Sequence, residues 1–163
     1  MSVSDCTIAA AFAGHTHTDD FRIINAAGSN PEFVLIDPPV SPIYGQNPAF
    51  RVVTFHPDGG LADQATYYLT NLPAGGRQVP GKWKQEYSFA TAWQGQPLDG
   101  NSLGHIDKEI ESDSQARDQW LKLLNVSSSY IQIPAPAVKA LDCAIRSLLP
   151  SSYETCACAA PAP

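Results

Sequence analysis

Two histidines separated by a single residue are the side chains in this sequence best suited to metal chemistry. His15 and His17 follow Gly14, and the apolar residues 8–12 precede them. Imidazole nitrogens are good ligands for Zn²⁺, and the two ions of a paired site lie about 3.5–4 Å apart. Side chains two residues apart on an extended backbone point to the same side. The spacing therefore indicates that His15 and His17 can each bind one ion of a two-metal site.

Two carboxylates follow the histidines at once. Asp19 and Asp20 come two and three residues after His17. A carboxylate that accepts a hydrogen bond from the outer ring N–H of a metal-binding histidine fixes the tautomer of that ring. We therefore predict that Asp19 or Asp20 accepts such a hydrogen bond. The alternative that His15 and His17 bind no metal stays open, because His-x-His pairs are also common on exposed strands and loops that bind no metal.

The apolar residues 8–12 have to position the histidines. They match a short buried strand that stops at Gly14, where the backbone is free to turn. They also resemble the apolar part of a signal peptide, but no basic residue precedes them and the histidines follow immediately. We therefore expect a core strand here, and we expect any targeting signal upstream of Met1.

Four further segments have the composition of short strands. Residues 21–25 and 32–36 are joined by a turn rich in Ala, Gly, Ser and Asn, which predicts a hairpin. Residues 50–55 and 66–72 flank a Pro-Asp-Gly-Gly turn and are predicted to pair antiparallel. Between the two pairs, residues 37–48 contain four prolines and are expected to form a loop.

The pattern becomes helical in the second half of the chain. Leu103, Ile106 and Ile110 recur at helical spacing. A Ser-Asp-Ser-Gln capping sequence precedes a predicted helix at residues 116–124, and a last helix is predicted at residues 137–149. These segments indicate a mainly helical region.

The predicted fold class is α+β. An antiparallel strand section is expected in residues 1–79, and a mainly helical C-terminal region in residues 80–163, with a disordered Ala-Pro tail after Cys158. His105 lies among acidic residues in the helical region, and we interpret that stretch as a solvated face.

The four cysteines are Cys6, Cys143, Cys156 and Cys158, and they allow three pairings. Cys156 and Cys158 are too close in sequence to pair easily with each other, so a bridge from Cys143 to one of them is predicted. Cys143 falls off the apolar face of the last helix, where a returning tail can reach it. A Cys-x-Cys zinc clip is the alternative. A disulfide favours an oxidising compartment.

Composition excludes two classes of partner. The chain has 163 residues, 44% of them hydrophobic, which is enough for one domain with a core. Its formal net charge of −6 argues against a nucleic-acid-binding surface, which depends on clustered Lys and Arg. No apolar run approaches the ~20 residues that a transmembrane helix needs.

Several motifs together resemble a known family. Residues 14–21, Gly-His-Thr-His-Thr-Asp-Asp-Phe, are similar to the last metal-binding motif of the calcineurin-like metallophosphoesterases, in the form found in the acid sphingomyelinase-like branch. Residues 42–52 resemble a downstream signature of that branch, in which a Tyr-containing loop leads to Asn-Pro-x-Phe-Arg and a strand. Residues 67–72 and 83–87 stand where the branch has a Tyr-rich strand and a Trp followed by an aromatic residue.

The resemblance implies a fold, a reaction and a set of residues. It implies a zinc-dependent phosphodiesterase of the sphingomyelinase-like class, with a phosphodiester or phospholipid-type substrate. In that family the loop corresponding to residues 37–48 lines the substrate cleft, which implies that Tyr44 and Asn47 bind substrate; a half-buried packing role for Tyr44 is equally open. Arg51, beside this loop, is expected to form a structural salt bridge or to bond backbone carbonyls. The family also implies an extracellular, periplasmic or lysosome-type compartment.

The resemblance also implies an incomplete site. The family's two-metal centre uses an Asp-x-His, a Gly-Asp, a Gly-Asn-His and a further His besides Gly-His-x-His, and only the last motif is present. Catalytic zinc usually has three protein ligands. We therefore interpret residues 1–79 as the C-terminal part of a catalytic domain whose N-terminal half is a missing partner, and expect no hydrolysis from the chain alone. A non-catalytic remnant and a secreted binding module are the alternatives.

Overall fold

The computed structural model of the protein describes residues 8, 10–24, 31–72 and 80–159. Within these residues the chain forms six strands and five helices, with the helices towards the C-terminal end, which confirms the predicted α+β class. The elements are β1 (Ala11–Ala13), β2 (Asp20–Ile24), β3 (Glu32–Ile36), β4 (Ala49–Phe55), β5 (Leu61–Leu69), β6 (Trp83–Ser88), α1 (Phe89–Ala92), α2 (Gly100–Ser112), α3 (Ser114–Leu124), α4 (Ala135–Arg146) and α5 (Pro150–Ala157).

The first sheet has the strand order β1-β3-β2. β2 and β3 form the predicted antiparallel hairpin, with Phe21 opposite Leu35; the turn expected between them lies outside the described residues. β1 pairs in parallel with β3 and stands at the edge of the sheet. Phe12 on β1 is 45% exposed. The expectation of a buried strand at residues 8–12 is therefore wrong, because β1 begins only at Ala11 and, among the described strands, pairs with β3 on one side.

The second sheet has the order β4-β5-β6, and all its strands are antiparallel. The β4–β5 pair confirms the pairing predicted across the Pro-Asp-Gly-Gly turn. β6 is a third strand in a segment that the sequence pattern assigns to the helical region. Aromatic side chains at Trp83 and Tyr87 suit a strand, and the pairing with β5 decides the outcome. Residues 80–163 thus contribute one strand as well as the helices.

The hydrophobic core lies between the first sheet and the helices. The predicted helical spacing is confirmed in α2, where Leu103, Ile106 and Ile110 are all buried. They pack with Phe21, Leu35, Phe89, Trp93, Trp120, Leu124 and Ile145. α2 begins so close to the first sheet that a Cβ on Gly100 would lie 1.6 Å from Pro31 O. Only glycine permits that approach.

The C-terminal helices are joined by the Cys143–Cys156 disulfide, which confirms the predicted bridge from Cys143 to the tail. Cys143 is 1% exposed but is not a member of the main hydrophobic cluster, so the returning α5 covers a thiol that lies off the core face, as expected. α4 ends at Arg146, whereas the predicted helix ends at residue 149. The residue before a proline is sterically disfavoured in the helical conformation, so the helix stops short of Pro150. Cys158 is exposed and forms no disulfide with another described cysteine.

Two further expectations concern the chain ends and membranes. Cys6 and most of the Ala-Pro tail, residues 160–163, lie outside the described residues. Across the part of the chain that the structure describes, no helix combines the length and the apolar character needed to cross a membrane.

Candidate functional site

The histidine loop, residues 14–18, leads from the end of β1 to β2. His15 has a φ of 82° and His17 a φ of 58°, so both lie in the left-handed region. The expectation of an extended segment is therefore wrong, because the backbone bends at each histidine. Left-handed backbone is uncommon outside glycine. Such conformations cluster at functional sites, where surrounding contacts maintain them.

The His17 side chain is half-buried and packs edge-on against Tyr44. The two ring centroids lie 5.1 Å apart, and the ring planes meet at 72°. The Nδ1 atom of His17 is buried and has no hydrogen-bond partner in the described part of the chain. A buried polar atom without a partner costs free energy, so this nitrogen is suited to binding an added group. His15, by contrast, is exposed.

The tyrosine loop, residues 37–48, carries both predicted substrate-binding side chains. Tyr44 is 66% exposed, so most of its side chain reaches solvent beside the histidine loop. Asn47 is half-buried, and its Nδ2 atom donates to Val126 O at 2.8 Å. The structure therefore brings Tyr44 to His17 and uses Asn47 to hold the loop in place. A substrate contact by Asn47 stays a prediction.

Asp19 ties the end of the histidine loop to the second sheet. Its buried carboxylate accepts hydrogen bonds from Arg51, from Thr66 Oγ1 at 2.5 Å and from Tyr87 Oη at 3.0 Å. Burial and the charge of Asp19 raise the pKa of Tyr87 well above its usual range, which keeps its hydroxyl a donor. Arg51 also donates to Asp37 at 3.1 Å. These bonds confirm the structural salt bridge expected for Arg51.

Asp20 faces the helices instead of the second sheet. Its buried carboxylate accepts hydrogen bonds from Arg22 and from Trp120 Nε1 at 3.1 Å. Burial raises the pKa of Asp20, and the charge of Arg22 opposes that rise. The bond to Trp120 fastens the first sheet to α3.

The predicted role of these aspartates in orienting an imidazole has no supporting contact. Among the residues described, no hydrogen bond joins Asp19 or Asp20 to His15 or His17. The reason is geometric: neighbouring residues at the start of a strand point to opposite faces. Asp19 consequently reaches the second sheet and Asp20 reaches the helices, and both become anchors of the loop that precedes them.

A further carboxylate, that of the half-buried Glu86, lies on β6 near this cluster. Its Oε1 atom accepts a hydrogen bond from Ser127 Oγ at 2.7 Å, and its Oε2 atom is buried with no partner in the described structure. Burial raises the pKa of Glu86 to about 7, and the charge of Asp19 adds to the rise. Sequence reasoning missed this residue, because Glu86 in an alternating strand carries no signal of burial.

The described residues contain no group of three or more His, Cys, Asp and Glu side chains placed to hold a metal ion. On α2, the exposed His105 contacts Glu109 at 3.3 Å, as expected for a solvated face. Asp107 on the same helix is buried and accepts from Arg146 at 2.6 Å, so that stretch is only partly solvated. The histidine loop therefore remains the candidate metal-binding segment.

Comparison with known proteins gives a consistent family. Residues 25–160 match the sequence model of the family described as acid sphingomyelin phosphodiesterase C-terminal region. The chain is 32% identical over 162 residues to cyclic GMP-AMP phosphodiesterase SMPDL3A of Rattus norvegicus, and 28% identical over 160 residues to acid sphingomyelinase-like phosphodiesterase 3b of Homo sapiens. Both alignments cover 91% of this chain, and 36% and 35% of those relatives. The chain thus spans about a third of the length of the curated relatives that it matches.

Proposed function

Because the chain belongs to the family of acid sphingomyelin phosphodiesterase C-terminal regions, we propose that it forms the C-terminal part of a metal-dependent phosphodiesterase. In this proposal His15 and His17 are the last two protein ligands of a two-zinc site, and Tyr44 lines the substrate cleft. The observation that carries the proposal is the buried Nδ1 atom of His17, which has no partner among the described residues, beside the exposed ring of Tyr44. The substrate class is a phosphodiester.

The donor atoms of the histidine loop fit zinc. Imidazole nitrogen is a common zinc ligand, and Nδ1 of His17, which has no partner in the described part of the chain, would gain one by binding an ion. Bound zinc supplies Lewis acidity at the phosphoryl oxygen and activates a water as nucleophile. Two histidines do not complete such a site, since catalytic zinc usually has three protein ligands. The remaining ligands are therefore assigned to the N-terminal half of the catalytic domain, which is not part of these 163 residues.

The chain's own residues have separate tasks in this proposal. Tyr44 offers an exposed aromatic surface next to the ligand His17 and contacts the substrate. Asp19 and Arg51 hold the histidine loop on the second sheet and do not touch the substrate. The Arg51 guanidinium is already bonded to two carboxylates and is 2% exposed, so the phosphate group is not assigned to it.

An apolar surface on the chain suits the N-terminal half. A groove of about 420 Å³ runs between β1 and β4. The exposed apolar side chains along it are Phe12, Val40, Phe50 and Phe55. Beside it, the outer edge of β1 pairs with no strand among the described residues. Exposed edges and contiguous apolar patches mark association sites. We assign this surface to the N-terminal half of the catalytic domain, a partner of about two-thirds of the relatives' length.

The compartment is also part of the proposal. The Cys143–Cys156 disulfide supports an oxidising environment, because structural disulfides are rare in the cytosol. We assign the protein to an extracellular, periplasmic or lysosome-type compartment.

Zinc content and phosphodiester hydrolysis together test the proposal. The 163-residue chain is prepared alone and joined to the N-terminal half of a relative, and each is assayed for bound zinc and for hydrolysis of bis(p-nitrophenyl) phosphate. We expect turnover only from the joined protein, with loss of zinc and at least a 100-fold loss of kcat in His17→Ala. His56→Ala, which changes an exposed turn histidine, is the matched control.

Two outcomes contradict the proposal. Full turnover in a His15→Ala, His17→Ala double variant of the joined protein would remove both histidines from the metal site. Absence of zinc and turnover from the joined protein itself would favour the alternative, a non-catalytic remnant or secreted binding module.

A further inference from the structure

The turn after α3, residues 125–128, is bonded to the tyrosine loop at two points. Val126 O accepts a hydrogen bond from Asn47 Nδ2 at 2.8 Å, and Ser128 Oγ donates to Gly45 O at 2.6 Å. Besides the bond from Gly45 N to Pro42 O within the tyrosine loop, these are the hydrogen bonds that join residues 43–47 to the rest of the described structure. The position of the loop tip therefore depends on this turn.

The same turn is attached to two other parts of the site. The residue before it, Leu124, accepts a hydrogen bond through its carbonyl from the Asp19 backbone N–H at 3.2 Å. Ser127 Oγ donates to Glu86 Oε1 on β6 at 2.7 Å. One short segment consequently fixes the end of the histidine loop, the tip of the tyrosine loop and the second sheet relative to one another.

The backbone of the turn is strained. Val126 has a φ of 53° and Ser127 a φ of 48°. A β-branched residue is rare in this left-handed region, and the Val126 side chain is fully buried. Such conformations persist only where surrounding structure over-determines them. The three hydrogen bonds from the turn to other elements, together with the Asp19–Leu124 bond just before it, supply that determination.

We propose that the 125–128 turn is a positioning element that holds Tyr44 against His17, and that Glu86 anchors this turn to the second sheet. What the positioned tyrosine does for a substrate rests on the proposed function. The positioning itself rests on the hydrogen bonds alone. Ser127, Ser128 and Glu86 are thus positioning residues that act through the loops and do not touch the substrate.

Hydrogen–deuterium exchange of the 163-residue chain tests the positioning. In Ser128→Ala, we expect exchange in residues 43–47 to accelerate about 5-fold, the effect of losing one hydrogen bond of ordinary net strength. Exchange in α2 should stay as in the wild type, which separates a local release from global destabilisation. Ser129→Ala, at the exposed neighbouring position, is the matched control, and Ser128→Thr should restore slow exchange by keeping the hydroxyl.

The result that overturns the proposal is equal exchange at residues 43–47 in Ser128→Ala and Ser129→Ala. A second arm uses the joined protein, where Ser128→Ala should raise KM for bis(p-nitrophenyl) phosphate about 5-fold with zinc content unchanged. An unchanged KM beside faster exchange would overturn the role of the positioned Tyr44 in binding. Lack of turnover in the wild-type joined protein contradicts the proposed function, while the exchange data still decide the positioning.

Discussion

Arg51 on β4 and Asp19 at the end of the histidine loop form an ion pair in which the side chains are 2% and 1% exposed. The attraction in a buried pair is largely offset by the cost of removing both ions from water, so the pair is not by itself evidence of added stability. Removing one partner has a different effect, because it leaves the other charge buried without compensation. The pair therefore makes the fold sensitive to either residue.

Arg51→Met should lower the free energy of unfolding by about 3–5 kcal/mol, the range for breaking a buried pair on one side. Urea titration followed by tryptophan fluorescence measures the change. Lys108→Ala, at an exposed position on α2, removes a positive charge elsewhere and should stay within about 0.5 kcal/mol of wild type. A loss below about 1 kcal/mol in Arg51→Met would show that water or another cation compensates Asp19.

Stability should also depend on pH through Glu86. Burial raises its pKa from the usual 4.5 to about 7; Asp19 adds to the rise, and Ser127 and Lys122 oppose it. The folded chain therefore holds this proton more tightly than the unfolded chain. The resulting stabilisation is complete below pH 4.5 and is lost as the pH rises through about 7. We expect the free energy of unfolding to fall by about 1–3 kcal/mol over this window through this group.

Glu86→Gln isolates that contribution from the other carboxyl groups with raised pKa values. Asp20, Asp37 and Asp107 also have raised pKa values, so wild-type stability falls with pH for several reasons. Glutamine keeps an acceptor for Ser127 but does not titrate. The difference in unfolding free energy between the variant and the wild type should grow from pH 5 to pH 8. A constant difference would mean that Glu86 does not titrate in this range.

The elements with strong local patterns were predictable from sequence. The hairpin of β2 and β3, the β4–β5 pair and the apolar positions of α2 follow from alternation, turn residues and helical spacing. The exposure of β1 and the presence of β6 in a sheet were not predictable, because both depend on which other strands lie beside them. The left-handed φ of His15 and His17 was hidden for a similar reason, since nothing in a His-x-His sequence distinguishes a bent loop from a strand.

The site was predictable only in part. The sequence pointed to His17 and Tyr44, which the structure places in contact. It gave no sign of the 125–128 turn, because Val126 and Ser127 are not residues that favour left-handed backbone. The long-range roles of Asp19 and Asp20 were also beyond local patterns, since Arg51 lies 32 residues from Asp19 and Trp120 lies 100 residues from Asp20.

The Cys143–Cys156 disulfide should contribute strongly to stability. It closes a loop with a sequence separation of 13, and a loop of that size predicts about 3 kcal/mol. Cys156→Ser should therefore lower the melting temperature, and dithiothreitol should lower that of the wild type to the same value. Cys158→Ser, two residues further on and exposed, is the matched control and should melt as the wild type does. A wild-type melt unchanged by dithiothreitol would contradict this assignment.

The apolar groove between β1 and β4 should make the 163-residue chain self-associate. Phe12 and Phe55 are exposed at opposite sides of that groove, beside the unpaired outer edge of β1 in the described structure. A free edge and an apolar surface favour pairing between copies. We therefore expect concentration-dependent oligomers of the wild-type chain in sedimentation velocity.

Phe12→Lys combined with Phe55→Lys should shift those oligomers towards monomer, because lysines on an edge repel a second copy. Lys108→Ala changes an exposed charge on α2, away from the groove, and should leave the distribution unchanged. The same lysine pair should weaken binding of a separately produced N-terminal half, since both partners compete for one surface. A sharp, cooperative, monomeric melt of the wild-type chain at all concentrations would contradict the assignment, because a surface built to be covered would then be stable uncovered.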